Sequence, residues 1–420
     1  MSPQAIIWIV AAVATAGVII RPFNWPEAIW AVTGAALLVL SGLLSPSNAI
    51  IGVANGTDVY LFLAGMMLLA EIARYTGLFD WLAAIATIWA RGSAGRLFLL
   101  IYGVGTIVTA FLSNDATAVV LTPAVAAAVR AAKARHPLPY LLICAFVANA
   151  ASFVLPISNP ANLVVYGSRM PALMDWLPRY LVPSALAITA TYGVLRWTQR
   201  AALKQPLAAV LVLPELSVGG RAAALGIAGT AIALLASSAR DIPLGLPTTV
   251  AGTVTAAFVL VRTRTAPWTI IKDIPWGVLP LVAGLFVLVQ ALDQTGLIDA
   301  LSAPLRSYAR GAELLTAWMA GIVVALAANL VNNLPAGLVA GTAVHSANAP
   351  DQITRAILIG VNLGPNLSVT GSLATILWLA ALRREGHAIS ATSFLKLGLM
   401  VMPPALILAL GGALLFGPAG

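Results

Sequence analysis

Residues Phe111 to Pro123 read Phe-Leu-Ser-Asn-Asp-Ala-Thr-Ala-Val-Val-Leu-Thr-Pro, so Ser113, Asn114, Asp115 and Thr117 interrupt sequence that is otherwise apolar enough for a membrane interior. A carboxylate near the bilayer centre is disfavoured by about 2.5 to 3.5 kcal/mol even on the gentler insertion scale, and such residues face substrate or ion pathways as a rule. The pattern returns 219 residues later, where Asn333 takes the place of Asn114 inside Asn-Leu-Val-Asn-Asn-Leu-Pro. One polar motif occurs twice.

Composition agrees with that setting. Of 420 residues, 60% are hydrophobic and only 9% charged, against about 25% charged in globular chains. Apolar runs of spanning length, about 17 to 25 residues, recur along the whole sequence, which predicts an all-α polytopic membrane protein. The polar gap from Thr198 to Arg221 is too short for a soluble domain. The run Ala5 to Ile20 has no basic segment before it and no small-residue cleavage site after it, so it reads as a first spanning helix and not as a removable signal. The net charge of +9 is scattered over short loops, which speaks against nucleic acid. Arg196, Arg200, Lys204 and Arg221 against Glu215 instead mark the central loop as cytoplasmic. Cys144 is the single cysteine; it reads as a small buried apolar residue and excludes a site built from several thiolates. The three histidines are too scattered for a metal site, and the eleven tryptophans read as interface anchors and packing.

The repeat extends beyond the motif. Thr76-Gly77-Leu78-Phe79-Asp80 matches Thr295-Gly296-Leu297-Ile298-Asp299 at the same offset of 219, and the apolar runs Ala5 to Ile20 and Ile29 to Leu44 fall on Leu225 to Ala239 and Thr248 to Arg264. The expected organisation is a first repeat over residues 1–200, a basic cytoplasmic linker over 201–221 and a second repeat over 222–420. Repeats in secondary transporters are commonly inverted about an axis in the membrane plane, with the site at the midplane between broken helices. About five transmembrane helices plus one re-entrant helical hairpin per half gives the odd number of crossings that inversion needs. Both termini then lie outside, which the uncharged tail Leu414 to Gly420 tolerates.

Each half carries two polar breaks. The first has Ser113-Asn114-Asp115 and then Pro156-Ile157-Ser158-Asn159-Pro160-Ala161-Asn162; the second has Asn329, Asn332, Asn333 and Pro335, and then Asn362 to Ser372. Proline removes a donor and clashes with the preceding turn, and the backbone groups so freed are tolerated at membrane depth only against protein or a water-filled cavity. The breaks therefore predict a cavity. With a connection six residues shorter, Ser158-Asn159 aligns with Gly371-Ser372. Isolated Asn and Ser residues also glue helices together, at about 0.6 kcal/mol per contact; breaks recurring in register argue for a site. A low-dielectric cavity raises a carboxylate's affinity for protons, so Asp115 reads as the proton-coupling residue, the alternative being a structural cap or ion-pair partner. Its register partner is Leu334, which leaves one such centre. Glu71 and Arg74 read as a pair on one helix face, Asp80 and Asp299 as cap positions, Asp293 as a weaker second proton site, and His345 as close to a loop.

Three stretches carry a family resemblance: Phe111 to Pro123, Ala148 to Val164 with Asn-Ala-Ala-Ser-Phe-Val-Leu-Pro-Ile-Ser-Asn-Pro-Ala-Asn, and Asn362 to Thr375 with Asn-Leu-Gly-Pro-Asn-Leu-Ser-Val-Thr-Gly-Ser. The chain resembles, over nearly its full length, the bacterial arsenite/antimonite efflux permeases of the ArsB type, in the ion transporter superfamily that also holds NhaD-type antiporters and dicarboxylate carriers. That resemblance implies export of trivalent arsenite or antimonite from the cytoplasm across the bacterial inner membrane in exchange for protons. It also implies possible association with a separate arsenical-pump ATPase subunit, and no cofactor.

The residues read chemically in the same direction. Arsenite at neutral pH is an uncharged tri-hydroxyl solute, so its site needs amides and hydroxyls: Ser113, Asn114, Thr117, Ser158, Asn159, Asn332, Asn333, Asn366, Thr370, Gly371 and Ser372 are the candidate substrate-binding residues, with Asp115 for proton coupling. The membrane potential then acts on the coupled ion alone, at about 2.3 kcal/mol per charge per 100 mV. A sodium/proton antiporter using Asp115, Asn114 and free carbonyls remains an alternative, then a dicarboxylate carrier, which an acid in the site disfavours, then an uncoupled channel. An enzyme is the weakest reading, since no His-Glu-x-x-His helix, Gly-x-Ser-x-Gly elbow or phosphate loop occurs.

Overall fold

Lipid offers no partner for backbone N–H and C=O groups, so apolar runs satisfy them internally as helices. The computed structural model describes residues 2–208 and 215–415, apart from the side chains of Asn24 and Ser168. Residues 209–214 of the linker and 416–420 of the tail lie outside the described residues. The first half runs α1 (Pro3–Ile20), α2 (Glu27–Leu40), α3 (Pro46–Asn55), α4 (Thr57–Tyr75), α5 (Leu78–Ala90), α6 (Ala94–Phe111), α7 (Asn114–Ala116), α8 (Thr122–Ala131), α9 (Leu138–Ala150), α10 (Pro160–Tyr166) and α11 (Leu173–Thr198). The second runs α12 (Val218–Ser238), α13 (Gly245–Thr263), α14 (Trp268–Ile271), α15 (Val278–Asp293), α16 (Leu297–Val331), α17 (Asn333–Ser346), α18 (Asp351–Leu363), α19 (Leu373–Arg384) and α20 (Ala391–Leu415), with no β-strand among the described residues.

Six of these helices (α1, α6, α12, α13, α16 and α20) are long and apolar enough to cross a membrane, and α3 with α4 forms a pair bent by 48°. Their ends follow local chemistry. Ser2, Ser45, Ser93 and Ser217 accept hydrogen bonds from amides in the first turns they cap. Gly77 and Gly296, the glycines of the repeated Thr-Gly-Leu, take φ of +75° and +80°, a region glycine enters without a Cβ penalty. Asp80 and Asp299 consequently fall in the first turns of α5 and α16, where a negative charge complements the helix dipole.

The order of elements recurs. Helices α1 to α4 return as α12 to α15, and α5 and α6 return as the two limbs of α16, which bends at Ala312 (φ −153°, ψ 61°). Then α7 with α8 returns as α17, and α9, α10 and α11 as α18, α19 and α20. Packing partners exchange between the halves: α4 lies on α13 while α15 lies on α2, α10 lies on α17 while α19 lies on α7 and α8, and α11 and α20 lie on each other. Glycine permits the closest approaches. A Cβ on Gly65 of α4 would sit 2.4 Å from the carbonyl oxygen of Thr248, and one on Gly284 of α15 would sit 2.7 Å from the carbonyl carbon of Ala31, the small-residue contact typical of membrane helices.

Candidate functional site

Four helices begin inside the fold at polar caps. Ser113 opens α7, Asn159 opens α10, Asn332 opens α17 and Ser372 opens α19, and their side-chain oxygens accept from the amides of Ala116, Ala161, Leu334 and Thr375. These residues are buried, and their order is that of the predicted breaks. Ser113, Asn159 and Ser372 reach the cap through extended backbone; Asn332 does so at φ +74°, which Asn tolerates better than most side chains.

The first break turns the chain sharply. Thr109 and Thr117 share a hydrogen bond between their hydroxyls at 2.8 Å, whereas eight residues of straight helix would separate them by about 12 Å. Residues Thr117–Leu121 then form a wider π-helical turn, a distortion frequent at functional sites.

A buried amide network ties the second break of the first half to the second break of the other half. Asn362 donates to Asn162 Oδ1 (3.0 Å) and accepts from Asn159 Nδ2 (2.8 Å) and the Ser152 hydroxyl (2.5 Å). Its counterpart Asn149 donates to Asn366 Oδ1 (3.0 Å) and Thr375 Oγ1 (3.4 Å) and accepts from the Ser372 hydroxyl (3.3 Å). Asn366 in turn donates to the carbonyl of Phe146 at 3.2 Å. Ser158 donates to the carbonyl of Ala110 (2.9 Å), which links the second break to α6.

Beside this network, the Asn333 amide donates to the carbonyl of Gly371 (2.9 Å), Asn332 Nδ2 donates to the carbonyl of Thr370 (3.4 Å), and Thr370 donates to the carbonyl of Asn329 (3.3 Å). Asn329 also accepts from Ser368 at 2.7 Å. Gly371 leaves no room for a side chain, since a Cβ there would meet Pro365 Cα at 2.5 Å. Asn333 Oδ1 is buried without a hydrogen-bond partner. On α7, the Asp115 amide donates to Asn114 Oδ1 (3.0 Å). The Asp115 carboxyl is half-buried and makes no hydrogen bond or ion pair among the described residues. Its counterpart Leu334 is buried.

Ser158, Asn159, Asn366 and Ser372 therefore share one network, and Asn332, Asn333, Thr370 and Gly371 adjoin it. Ser113, Asn114, Asp115 and Thr117 sit on or beside α7, which packs against α9 and α19. Asn149, Ser152 and Thr375 belong to the same centre, and so do Asn162, Asn329, Asn362 and Ser368 of the breaks, which were not among the candidate substrate-binding residues. Register held the signal: Asn149 stands to Asn362, and Asn162 to Thr375, at the same spacing as Asn159 to Ser372. The cavity expected at the breaks is not found among the cavities that the described residues line. A polar cavity of about 720 Å³ is lined by Asp58, Gln290, Asp293, Thr342 and His345, and an apolar one of about 890 Å³ by residues of α1, α15, α16 and α17; neither is lined by Asp115 or by a cap residue. Glu71 pairs with Arg74, which also reaches Asp273 at 2.9 Å. Cys144 is buried.

The family whose description reads "CitMHS: Citrate transporter" matches residues 6–360. The chain belongs to this family. It is a multi-pass membrane transporter and not an enzyme. Among characterised relatives, the CitMHS-family chain is similar to the arsenical pump membrane protein of Yersinia enterocolitica, 27% identical over 399 residues and 90% of each chain. The arsenical pump membrane protein of Escherichia coli (strain K12) is 27% identical over 404 residues, 91% of this chain and 92% of the relative. The 46 kDa membrane protein of Mycobacterium leprae is 25% identical over 90% of this chain and 91% of its own. The crystal structure of the Alcanivorax borkumensis YdaH transporter, described as having an unusual topology, superposes with a TM-score of 0.58 over 99% of this chain and 100% of that one at 14% identity. That likeness establishes the fold.

Proposed function

We propose that this transporter exports trivalent arsenite or antimonite in exchange for protons. The observation that carries the reading is the chemistry of the breaks: buried amides and hydroxyls at four helix starts, with Asp115 the one acid among them and its carboxyl unpaired. A neutral tri-hydroxyl solute needs donors and acceptors, which the caps supply, and a proton carrier needs a carboxyl free of a fixed countercharge. Similarity to proteins named for arsenical pumping supports the substrate.

The exchange of packing partners between the halves supports inverted repeats over residues 1–200 and 222–420. The linker contacts the loops after α5 and α8: Leu207 N–H donates to the carbonyl of Gly92, and Ala208 N–H to that of Ala132. Arg91, Arg130, Lys133 and Arg135 thus share its face, and Arg130 pairs with Glu385 (2.7 Å), next to Arg383 and Arg384. This basic face fits a cytoplasmic linker in a bacterial inner membrane.

The test is resistance. Expression in an arsenite-sensitive host is expected to lower intracellular arsenite, and a well-inserted wild type that gives no resistance would overturn the substrate. The family description and the positive ends of four helices favour a second reading, carboxylate transport; uptake of labelled citrate without any arsenite efflux would establish it instead.

A further inference from the structure

Where α5 turns into α6, on the linker face, a groove of about 440 Å³ is lined by Trp89, Arg91, Arg96, Leu99 and Leu100. Trp89 and Leu99 are 66% and 52% exposed. Arg196, near the end of α11, reaches the same place and donates to the carbonyl of Gly95 at 3.3 Å. One turn on, the Arg200 guanidinium lies 5.5 Å from the centre of the Trp197 ring. No carboxylate pairs with Arg91, Arg96 or Arg196 among the described residues. Two guanidinium groups stand at the head of an apolar wall with no acid to balance them, and Arg196 lies on the backbone between them, at Gly95.

We infer that this groove binds an anionic phospholipid, its phosphate held by Arg91, Arg96 and Arg196 and its acyl chains laid along Trp89, Leu99 and Leu100. Guanidinium groups match phosphate oxygens in a bidentate fork. A tryptophan at the membrane interface suits the boundary between headgroup and chain, and leaflet anions are drawn to clustered basic side chains next to the bilayer. A free phosphate would engage the arginines and leave the apolar wall unused, which is why the lipid is the better occupant. The counterpart positions in the second half are Tyr308, Arg310, Leu315, Trp318 and Met319. There the aromatic residue and one arginine recur while Leu315 replaces the second cation, so the linker-face groove is the stronger site. This assignment is independent of which solute is transported.

Native mass spectrometry of the full-length protein in detergent, titrated with phosphatidylglycerol and with phosphatidylcholine, tests it. The double variant Arg91→Gln with Arg96→Gln is expected to bind phosphatidylglycerol about thirtyfold more weakly, from two basic side chains near a charged surface. Arg91→Lys with Arg96→Lys, which keeps the charge but loses the bidentate fork, should bind between wild type and the Gln variant, and glycerol 3-phosphate should fail to displace the lipid. Unchanged phosphatidylglycerol affinity in the Gln variant, equal affinity for phosphatidylcholine, or displacement by glycerol 3-phosphate would each overturn the proposal.

Discussion

Asn362 donates from Nδ2 to Oδ1 of Asn162 at 3.0 Å, and their register counterparts Asn149 and Thr375 make the corresponding contact at 3.4 Å. Each bond joins one half of the chain to the other, with the donor's half reversed between them. The two contacts hold in place the helix starts at Asn159 and Ser372.

Truncation of Asn362 removes the partner of Ser152, Asn159 and Asn162 together. Buried polar groups left unpaired cost about 1 to 3 kcal/mol each, so Asn362→Ala is expected to lose about 3 kcal/mol: Asn159 Nδ2 and Asn162 Oδ1 lose this partner, while the Ser152 hydroxyl keeps its bond to the carbonyl of Asn149. The readout is thermal unfolding in detergent. An unchanged melting temperature would show that the amide holds nothing.

Asp115→Asn removes a charge that no neighbour pairs with. Stability is expected not to fall, since the substitution removes an uncompensated charge, while export driven by a proton gradient into everted vesicles is lost. Full efflux in the variant, with normal membrane levels, would remove Asp115 from proton coupling.

At Gly371 the backbone leaves no space: a Cβ would lie 2.5 Å from Pro365 Cα and 2.8 Å from Asn329 Oδ1. Gly371→Ala is expected to cost about 1 to 3 kcal/mol by overpacking and to lower transport by shifting the start of α19. Gly229→Ala, where nothing lies within 4 Å, is the control and should leave both melting temperature and transport rate near wild type.

Two ion pairs should differ in weight because they differ in burial. Arg355 is 0% exposed and pairs with Asp351 (3.0 Å), which also holds Arg179 of the other half (3.1 Å). Arg355→Ala removes a fully buried side chain but leaves Asp351 partly exposed and held by Arg179, so a loss of about 2 to 3 kcal/mol is expected. The Arg130–Glu385 pair is 56% and 19% exposed at its side chains, so Glu385→Gln should cost under about 1 kcal/mol. Equal shifts in melting temperature would contradict this ranking.

Much of the site was legible where polar residues broke an apolar run. Ser113, Asn159, Asn332 and Ser372 sit at helix starts because proline or an extended residue stops the preceding helix and a short polar side chain then caps the next one. Asn149 gave no such sign, since it lies within a helix and only its partners reveal its part. The described cavities are not lined by the caps, which together with their neighbours satisfy one another directly.

The sequence by itself determined the membrane setting, the helical class, the repeat and the positions of the four breaks, because hydrophobicity, proline and capping act locally and leave a periodic mark. Tertiary structure decided which break meets which. Hydrogen bonds between Asn362 and Asn162, or Asn149 and Ser372, join residues about 200 positions apart in the chain, and their pairing depends on how the helices of one half pack against those of the other.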